Sequence, residues 1–180
     1  MRTLLAPLAL AAFVTVGGCS ADRSAPLAPT TASATRAASA LAWRPIQGEC
    51  ALKTLSTVPY PAPPVFRQTA EGTCDLAHLG TSTVHFVQVV NFALGTQSSL
   101  TLVYTAANGD ELHAASTGTS APTATGVNFS STITFAGGTG RFANATGSAH
   151  ADGSANLAAG TSGYTLDGSI AYDASDAGSR

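Results

Sequence analysis

Residues Val127 to Phe142 read VNFSSTITFAGGTGRF. From Val127 to Phe135 the apolar residues largely alternate with Asn, Ser and Thr, and this period of two predicts a β-strand with one buried face. The glycines that follow are typical of a tight connection, because Gly adopts a positive φ without steric cost. The segment therefore predicts a strand that ends in a glycine-rich turn.

The same alternation recurs on both sides of this segment. Turn signals such as Asn108-Gly109 separate the alternating runs, and no stretch has the period of an amphipathic helix. Consecutive strands with short links predict an all-β fold, an antiparallel meander that closes into an eight-stranded, calycin-like barrel. A β-sandwich is the alternative, because alternation alone does not distinguish the two. The expected strands are about 45–54, 65–75, 80–93, 98–106, 111–118, 126–136, 146–156 and 162–173.

The glycine-rich connection could also be read as a phosphate-binding loop. Such loops require either a βαβ unit or a Gly-Lys-Ser/Thr ending, and this sequence has neither. We therefore expect a structural turn in which Phe142 plugs one end of the core. The residues assigned to this turn and plug are Gly137, Gly138, Gly140, Phe142 and Gly147.

The run from Gly137 to Gly147 resembles the pattern of the allene oxide cyclase barrel-like superfamily, which includes the dirigent proteins. The resemblance covers roughly residues 43–172 and implies an eight-stranded barrel. It also implies an apolar interior that shapes a lipid-like or phenolic substrate, as an isomerase, a cyclase or a dirigent-type protein would. None of the polar functional residues of these families could be matched here, so no catalytic residue is carried over.

The amino terminus has the pattern of an export signal. Arg2 precedes the apolar stretch Leu4–Val16, which is too short to cross a bilayer as a helix. The following Gly17-Gly18-Cys19 completes a sequence that resembles the lipobox of bacterial lipoproteins, with Cys19 as the acylated residue. An ordinary secretory signal cut near Ala21 is the alternative.

This reading divides the chain into four parts. We expect a signal peptide at 1–18, the acylated cysteine and a flexible Ala/Ser/Thr/Pro linker at 19–41, the barrel at 42–174, and a flexible tail at 175–180. The protein would then lie in the cell envelope on a lipid anchor. Ser20 after the cysteine resembles lipoproteins that reach the outer membrane, facing the periplasm, in hosts that have two membranes.

With Cys19 acylated, Cys50 and Cys74 remain as an even pair in an oxidising compartment. They lie in two neighbouring predicted strands, which can bring their Cα atoms close enough for a bridge. A metal site is the weaker alternative, because two thiolates without a nearby CxxC or paired His make a poor tetrahedral site. We therefore predict a disulfide between Cys50 and Cys74 and no metal.

The charge pattern argues against several functions. Only 10% of residues are charged and the net charge is −2, so the clustered Lys and Arg of a nucleic-acid interface are missing. No acid–base constellation can be assembled, and Asp110-Glu111 is expected in a solvated loop. We predict no catalytic residue and no cofactor. The histidines, expected on the surface or in turns, are His78, His85, His113 and His150.

The predicted strand 80–93 is apolar on both faces, with Val87 and Val89 opposite Val84 and Phe86. Either a second copy of the chain or a neighbouring segment of the same chain is expected to cover the outer face. In each predicted strand, the alternate apolar residues form one face that points into the barrel. Such an apolar interior predicts a barrel that binds a small apolar ligand or serves as a structural surface module. An enzyme that shapes a reactive substrate is the alternative.

Overall fold

The computed structural model describes residues 41–173, and these are nearly all in strands. One short 3-10 helix, Gly140–Phe142, interrupts them. The strands are β1 (Ala42–Pro59), β2 (Val65–Leu76), β3 (Gly80–Asn91), β4 (Thr96–Ala106), β5 (Glu111–Pro122), β6 (Gly126–Gly138), β7 (Thr146–Asn156) and β8 (Thr161–Tyr172). The all-β prediction is confirmed.

The strands form a closed barrel in sequence order. Each strand pairs antiparallel with the next, and β1 closes the barrel by pairing with β8, with Ala42 opposite Tyr172. Short links allow only neighbouring antiparallel strands, so the chain runs up and down around the barrel axis. Closure confirms the predicted eight-stranded meander barrel and excludes the β-sandwich.

The antiparallel order places the turns at two opposite ends of the barrel. Four turns, 60–64, 92–95, 123–125 and 157–160, lie at one end, which we call the mouth. The turns 77–79, 107–110 and 139–145 lie at the other end, together with the start of β1 and the end of β8. We call this second end the plugged end.

Alternate residues of each strand fill the interior, as a period of two requires. Ile46, Leu76, Tyr104 and Leu112 are among the buried side chains. The sequence places Leu100 in the same alternating set as Leu102, Tyr104 and Ala106, but Leu100 is exposed. The pairing of β3 with β4 shifts register here, with Thr101 opposite Val87 and Ser99 opposite Gln88, so Leu100 is an extra residue that reverses the alternation.

Cys50 and Cys74 form a disulfide inside the barrel, which confirms the prediction. They are direct partners across β1 and β2, and their Cα atoms are 4.0 Å apart. Both side chains belong to the buried core. The bond therefore joins the two strands that flank the proline-rich mouth turn 60–64.

Phe142 is fully buried at the plugged end, where its ring centroid lies 5.1 Å from that of Tyr172. The Arg141 guanidinium lies 4.7 Å from the Phe142 ring centroid and donates through Nη2 to the His78 carbonyl at 2.8 Å. Gly140 has φ +53°, and a Cβ at this position would overlap the Asp110 carboxylate. The other glycines of the predicted turn, Gly137, Gly138 and Gly147, also have positive φ.

The expectation that Asp110 is solvated is wrong, because this residue is only 7% exposed. Its carboxylate accepts a hydrogen bond from the Asn108 amide at 2.8 Å and lies 3.9 Å from Nε of Arg141. The 3-10 helix folds back over the β4–β5 turn and removes Asp110 from water. Asp110 therefore helps to hold the plug.

Candidate functional site

The interior of the barrel contains a cavity of about 120 Å³ that extends to the mouth. It lies on the opposite side of the core from Phe142, since residues of the mouth turns line its outer part. Every strand of the barrel contributes to its wall. The lining residues are Leu52, Thr54, Thr57, Gln68, Ala70, Phe86, Gln88, Val90, Gln97, Leu102, Ser116, Ser120, Val127, Phe129, Ser131, Ile133, Ala151, Ala155, Asn156, Leu157, Gly160, Thr161, Ser162 and Tyr164.

The deep part of this cavity is apolar. Leu52, Ala70, Leu102, Ile133 and Ala151 line it and are also members of the buried core. Aromatic rings enclose it further out, where Phe129 and Tyr164 meet edge to face with centroids 6.4 Å apart. An apolar group that enters this space gives up contact with water and gains contact with these side chains.

Amides and hydroxyls form a collar between the apolar part and the mouth. Gln88 Nε2 donates to Gln68 Oε1 at 2.9 Å, and Gln68 Nε2 donates to Thr57 Oγ1 at 3.4 Å. On a neighbouring part of the wall, Gln97 Nε2 donates to Ser131 Oγ at 2.7 Å. The hydrogen bonds hold these side chains in fixed positions. We call Thr57, Gln68, Gln88, Gln97 and Ser131 the amide collar.

Two tyrosines meet at the inner wall, where the hydroxyls of Tyr104 and Tyr164 are 3.0 Å apart. Burial raises the pKa of Tyr104 well above its usual value, and the Tyr164 hydroxyl adds to that shift. Burial raises the pKa of Tyr164 to about 12, although the hydrogen bond with Tyr104 opposes part of the rise. Both hydroxyls therefore remain protonated at neutral pH.

The direction of this hydrogen bond follows from burial. Tyr104 is fully buried, does not line the cavity, and has the Tyr164 oxygen as its hydrogen-bond partner. A buried hydroxyl is costly when it cannot donate, so Tyr104 donates to Tyr164. The hydrogen of Tyr164, which does line the cavity, is then available to a molecule inside it.

No Asp, Glu, Lys, Arg or His lines the cavity within residues 41–173. The same part of the chain holds no cluster of three or more His, Cys, Asp or Glu side chains that could bind a metal ion. Tyr164 is therefore the only titratable side chain that this cavity wall presents. The wall offers hydrogen bonds and apolar contact, but no group that exchanges protons near neutral pH.

The histidines lie outside the cavity. His78 occupies the β2–β3 turn with φ 71°, and its Nε2 is 2.9 Å from the Pro45 carbonyl oxygen. His85 points outward from β3, and His113 contacts Glu111 at 2.9 Å on a half-exposed surface. Each has a structural or solvent-facing environment.

His150 lies on the outer surface beside Ser130 and Asp152, a set that superficially suggests a catalytic triad. Its Nε2 is 3.1 Å from Ser130 Oγ and 3.2 Å from Asp152 Oδ2. In a triad the serine and the carboxylate contact different ring nitrogens, so that the imidazole can transfer a proton between them. Here both contact the same nitrogen on an exposed surface, and the set carries no catalytic assignment.

The amide collar and the tyrosine pair were not predicted from the sequence. The sequence does contain a signal for the collar. Gln88 lies on the same face of β3 as Val84, Phe86 and Val90, and this face forms part of the barrel interior. A glutamine at an interior position of a barrel strand needs a hydrogen-bond partner there. The predicted acylation site Cys19 lies outside the described residues.

No helix among residues 41–173 has the length and apolar character that crossing a membrane requires. Comparison with known proteins supplies no relative from which a function could be transferred. No family model, no curated protein and no solved structure matches this chain.

Proposed function

We propose that the barrel binds a small, uncharged, largely apolar molecule in its interior, and that an acyl chain on Cys19 holds the protein on a membrane of the cell envelope. The observation that carries the binding proposal is the cavity of about 120 Å³, with its apolar depth and its amide collar. Membership of the allene oxide cyclase barrel-like superfamily is proposed on the motif at Gly137–Gly147, and the closed eight-stranded barrel supports it.

The size of the cavity limits the enclosed part of the ligand. A dry apolar cavity of about 150 Å³ is known to accept benzene, so a space slightly smaller suits one ring or a short aliphatic chain. A longer molecule would extend through the amide collar toward the mouth.

The wall also limits the charge of the ligand. A carboxylate or an ammonium group inside the cavity would lose its hydration without gaining an ionic partner, which costs several kcal/mol. An uncharged acceptor such as a hydroxyl, carbonyl or ether oxygen could instead accept a hydrogen bond from Tyr164. The collar amides offer further donors and acceptors to a polar head group.

The absence of a carboxylate or a histidine from the cavity wall favours binding over catalysis within the described residues. An isomerase or cyclase that does more than shape its substrate would need a group that moves a proton or stabilises a developing charge. The neutral Tyr164 hydroxyl could orient a substrate, but its raised pKa makes it a weak acid and a poor source of base. Binding is therefore the function we propose.

Binding can be tested with three probes of similar size, namely toluene, p-cresol and benzoate. Isothermal titration and native mass spectrometry of the mature chain should show binding of toluene and p-cresol, and no binding of benzoate. Tyr164→Phe should lower the affinity for p-cresol by about three- to tenfold, which is the value of one hydrogen bond, and should change the affinity for toluene by less than about twofold. Tighter binding of benzoate than of p-cresol would contradict the proposal.

A cavity-filling pair of variants on β7 supplies the matched control. Ala151→Leu places a larger side chain in the cavity and should reduce toluene affinity at least about tenfold. Ser154→Leu adds the same side chain on the exposed side of the strand and should leave the affinity unchanged. Equal affinities for the two variants would place binding elsewhere, and failure of every uncharged probe would favour a structural surface module.

The anchor is tested separately by Cys19→Ser. This variant lacks the acylated thiol, so a smaller fraction of it than of the wild type should remain with membranes. Intact-mass measurement of the wild-type protein should show acyl chains on a mature terminus that begins at Cys19. A mature terminus after Cys19, without acyl chains, would identify the ordinary signal cut instead.

A further inference from the structure

The four turns of the mouth contain no charged residue. They consist of Pro, Ala, Gly and Thr with Tyr60, Phe92, Leu94 and Leu157. The turns of the plugged end differ, since they carry His78, Asp110 and Arg141. The two ends of the barrel therefore present different chemistry to their surroundings.

Exposed apolar side chains follow the same division. Among residues 41–173, two large exposed apolar side chains, Leu41 and Trp43, lie at the plugged end. The others occur in the mouth turns or in the strand halves next to them. They are Leu55, Val58, Tyr60, Leu94, Leu100 and Leu157, with Leu94 the most exposed at 73%. Side chains of this kind grouped around one opening are typical of an interaction surface.

Charge next to the mouth is sparse and includes two cations, Arg67 and Lys53, the latter in register with Thr161 beside the turn 157–160. Within three residues of any mouth turn along the chain, the described strands carry only Arg67, whose guanidinium lies 5.9 Å from the Tyr60 ring centroid. The nearest carboxylates along the strands are Asp152, Glu71 and Asp167, and Glu71 is the cross-strand partner of Lys53. An exposed aromatic ring beside an arginine suits the interface of a bilayer, where phosphate lies above the acyl chains.

We propose that the mouth docks on a phospholipid bilayer. Tyr60, Leu94 and Leu157 enter the boundary between head groups and acyl chains, and Arg67 remains at the level of the phosphates. The cavity then opens toward the lipid phase, from which an uncharged apolar molecule could enter it without crossing water. Docking does not depend on the proposed ligand, because the surface that carries it lies outside the cavity.

A second copy of the chain fits this surface less well. The apolar side chains stand on separate turns around an opening, a ring that lipid can fill but that leaves gaps against a rigid partner. In a symmetric mouth-to-mouth contact, Arg67 of both copies would be buried at the interface without a nearby carboxylate. Charge complementarity therefore favours the phosphate of a lipid surface.

The proposed anchor allows this orientation. β1 begins at the plugged end, so the linker from Cys19 joins the barrel at the end opposite the mouth. A strand of 12 residues such as β2 spans about 40 Å or less at 3.3 Å per residue. A linker of about 22 residues reaches about 75 Å when extended, which is enough to return from the plugged end to the membrane under the mouth.

The test uses the chain from residue 19 onward with Cys19→Ser, so that no acyl chain or signal segment contributes. All strand pairings, the core and the disulfide lie within 42–172, and this chain retains them. Trp43 is the only tryptophan, and it reports on the plugged end. In the double variant Trp43→Phe/Leu94→Trp the tryptophan reports on the mouth instead.

Phosphatidylcholine vesicles should shift the emission of the double variant to shorter wavelength, and brominated acyl chains should quench it. The emission of Trp43 in the parent chain should stay unchanged under the same conditions. A response from Trp43, or no response from Leu94→Trp, would overturn the proposal. Because phosphatidylcholine has no net charge and apolar contacts carry the docking, vesicle binding should change by less than about threefold between low and physiological salt.

Paired substitutions then assign the surface. Tyr60→Ser/Leu94→Ser should reduce vesicle partitioning at least about tenfold. Trp43→Ser removes a large apolar side chain at the plugged end whose exposure, 65%, lies between those of Tyr60 and Leu94, and it should leave partitioning unchanged. Equal losses in both variants would refute docking through the mouth. Sedimentation without vesicles tests whether a second copy of the chain binds the mouth instead. A dimer that Tyr60→Ser/Leu94→Ser abolishes would show that a second copy covers this surface and would overturn the proposal. Titration of the same variants with toluene separates docking from ligand binding, because Tyr60→Ser/Leu94→Ser should leave the affinity for toluene unchanged.

Discussion

Removing the disulfide between Cys50 and Cys74 should destabilise the barrel by about 3 kcal/mol. The bridge spans 24 residues, and the chain-entropy relation for a loop of this length gives about 3.4 kcal/mol at 25 °C. This loop contains the end of β1, the proline-rich mouth turn and most of β2. In the reduced chain these segments gain conformational freedom only when the barrel unfolds, so the loss appears as lower stability.

The assay is equilibrium unfolding in urea, followed by circular dichroism, of the wild type and of Cys50→Ala/Cys74→Ala. In thermal unfolding, the same loss of about 3 kcal/mol corresponds to a decrease in melting temperature of about 10 °C for a domain of this size. Reductant should lower the stability of the wild type by a similar amount and leave the double variant unchanged, which separates the bond from the lost side-chain volume. Equal stability of the oxidised wild type and the double variant, within about 0.5 kcal/mol, would show that the bond does not stabilise the barrel.

Three further predictions concern the plug and the tyrosine pair. Phe142→Ala should cost about 3–5 kcal/mol in urea unfolding, because it empties a fully buried ring site, and a cost below about 1 kcal/mol would contradict a plug. Asp110→Ala should cost about 1–3 kcal/mol, because it leaves the buried Nε of Arg141 without a nearby carboxylate. The further loss of stability caused by Arg141→Ala should then be smaller in the Asp110→Ala background than in the wild type. The folded pKa values of Tyr104 and Tyr164 lie above the usual value of 10, so their stabilising contribution is complete below about pH 10 and is lost as the pH rises toward about 12 and beyond. Replacing both tyrosines by Phe should move alkaline unfolding, followed by circular dichroism, to higher pH, and an unchanged midpoint would contradict this.

The sequence predicted the strands well because their alternation has a strict cause. Every residue in a barrel strand faces either the core or the outside, so a period of two extends along each strand and stops at each turn. Leu100 does not follow this alternation, because it is the extra residue at the register shift between β3 and β4, and such a shift depends on both strands. No pattern within β4 alone could reveal it.

The candidate site was harder to predict because its polar groups depend on distant partners. Gln97 meets Ser131 and Tyr104 meets Tyr164 only after the barrel closes. Asp110 is buried by the 3-10 helix at Gly140–Phe142, which follows it by a whole hairpin. Single residues in a sequence indicate which face they occupy, but contacts across the barrel require the three-dimensional arrangement.

The pairing of Ala42 with Tyr172 has a consequence for how the chain can be connected. These residues are direct partners at the plugged end, so the first and last strands lie as close together as the arms of any hairpin in the barrel. A short added loop between them would give a circularly permuted protein, with new termini at a mouth turn such as 123–125, and all eight strand pairings would be retained. Such permutants would move the attachment point from one end of the barrel to the other, so that the mouth could be held facing either toward or away from a surface.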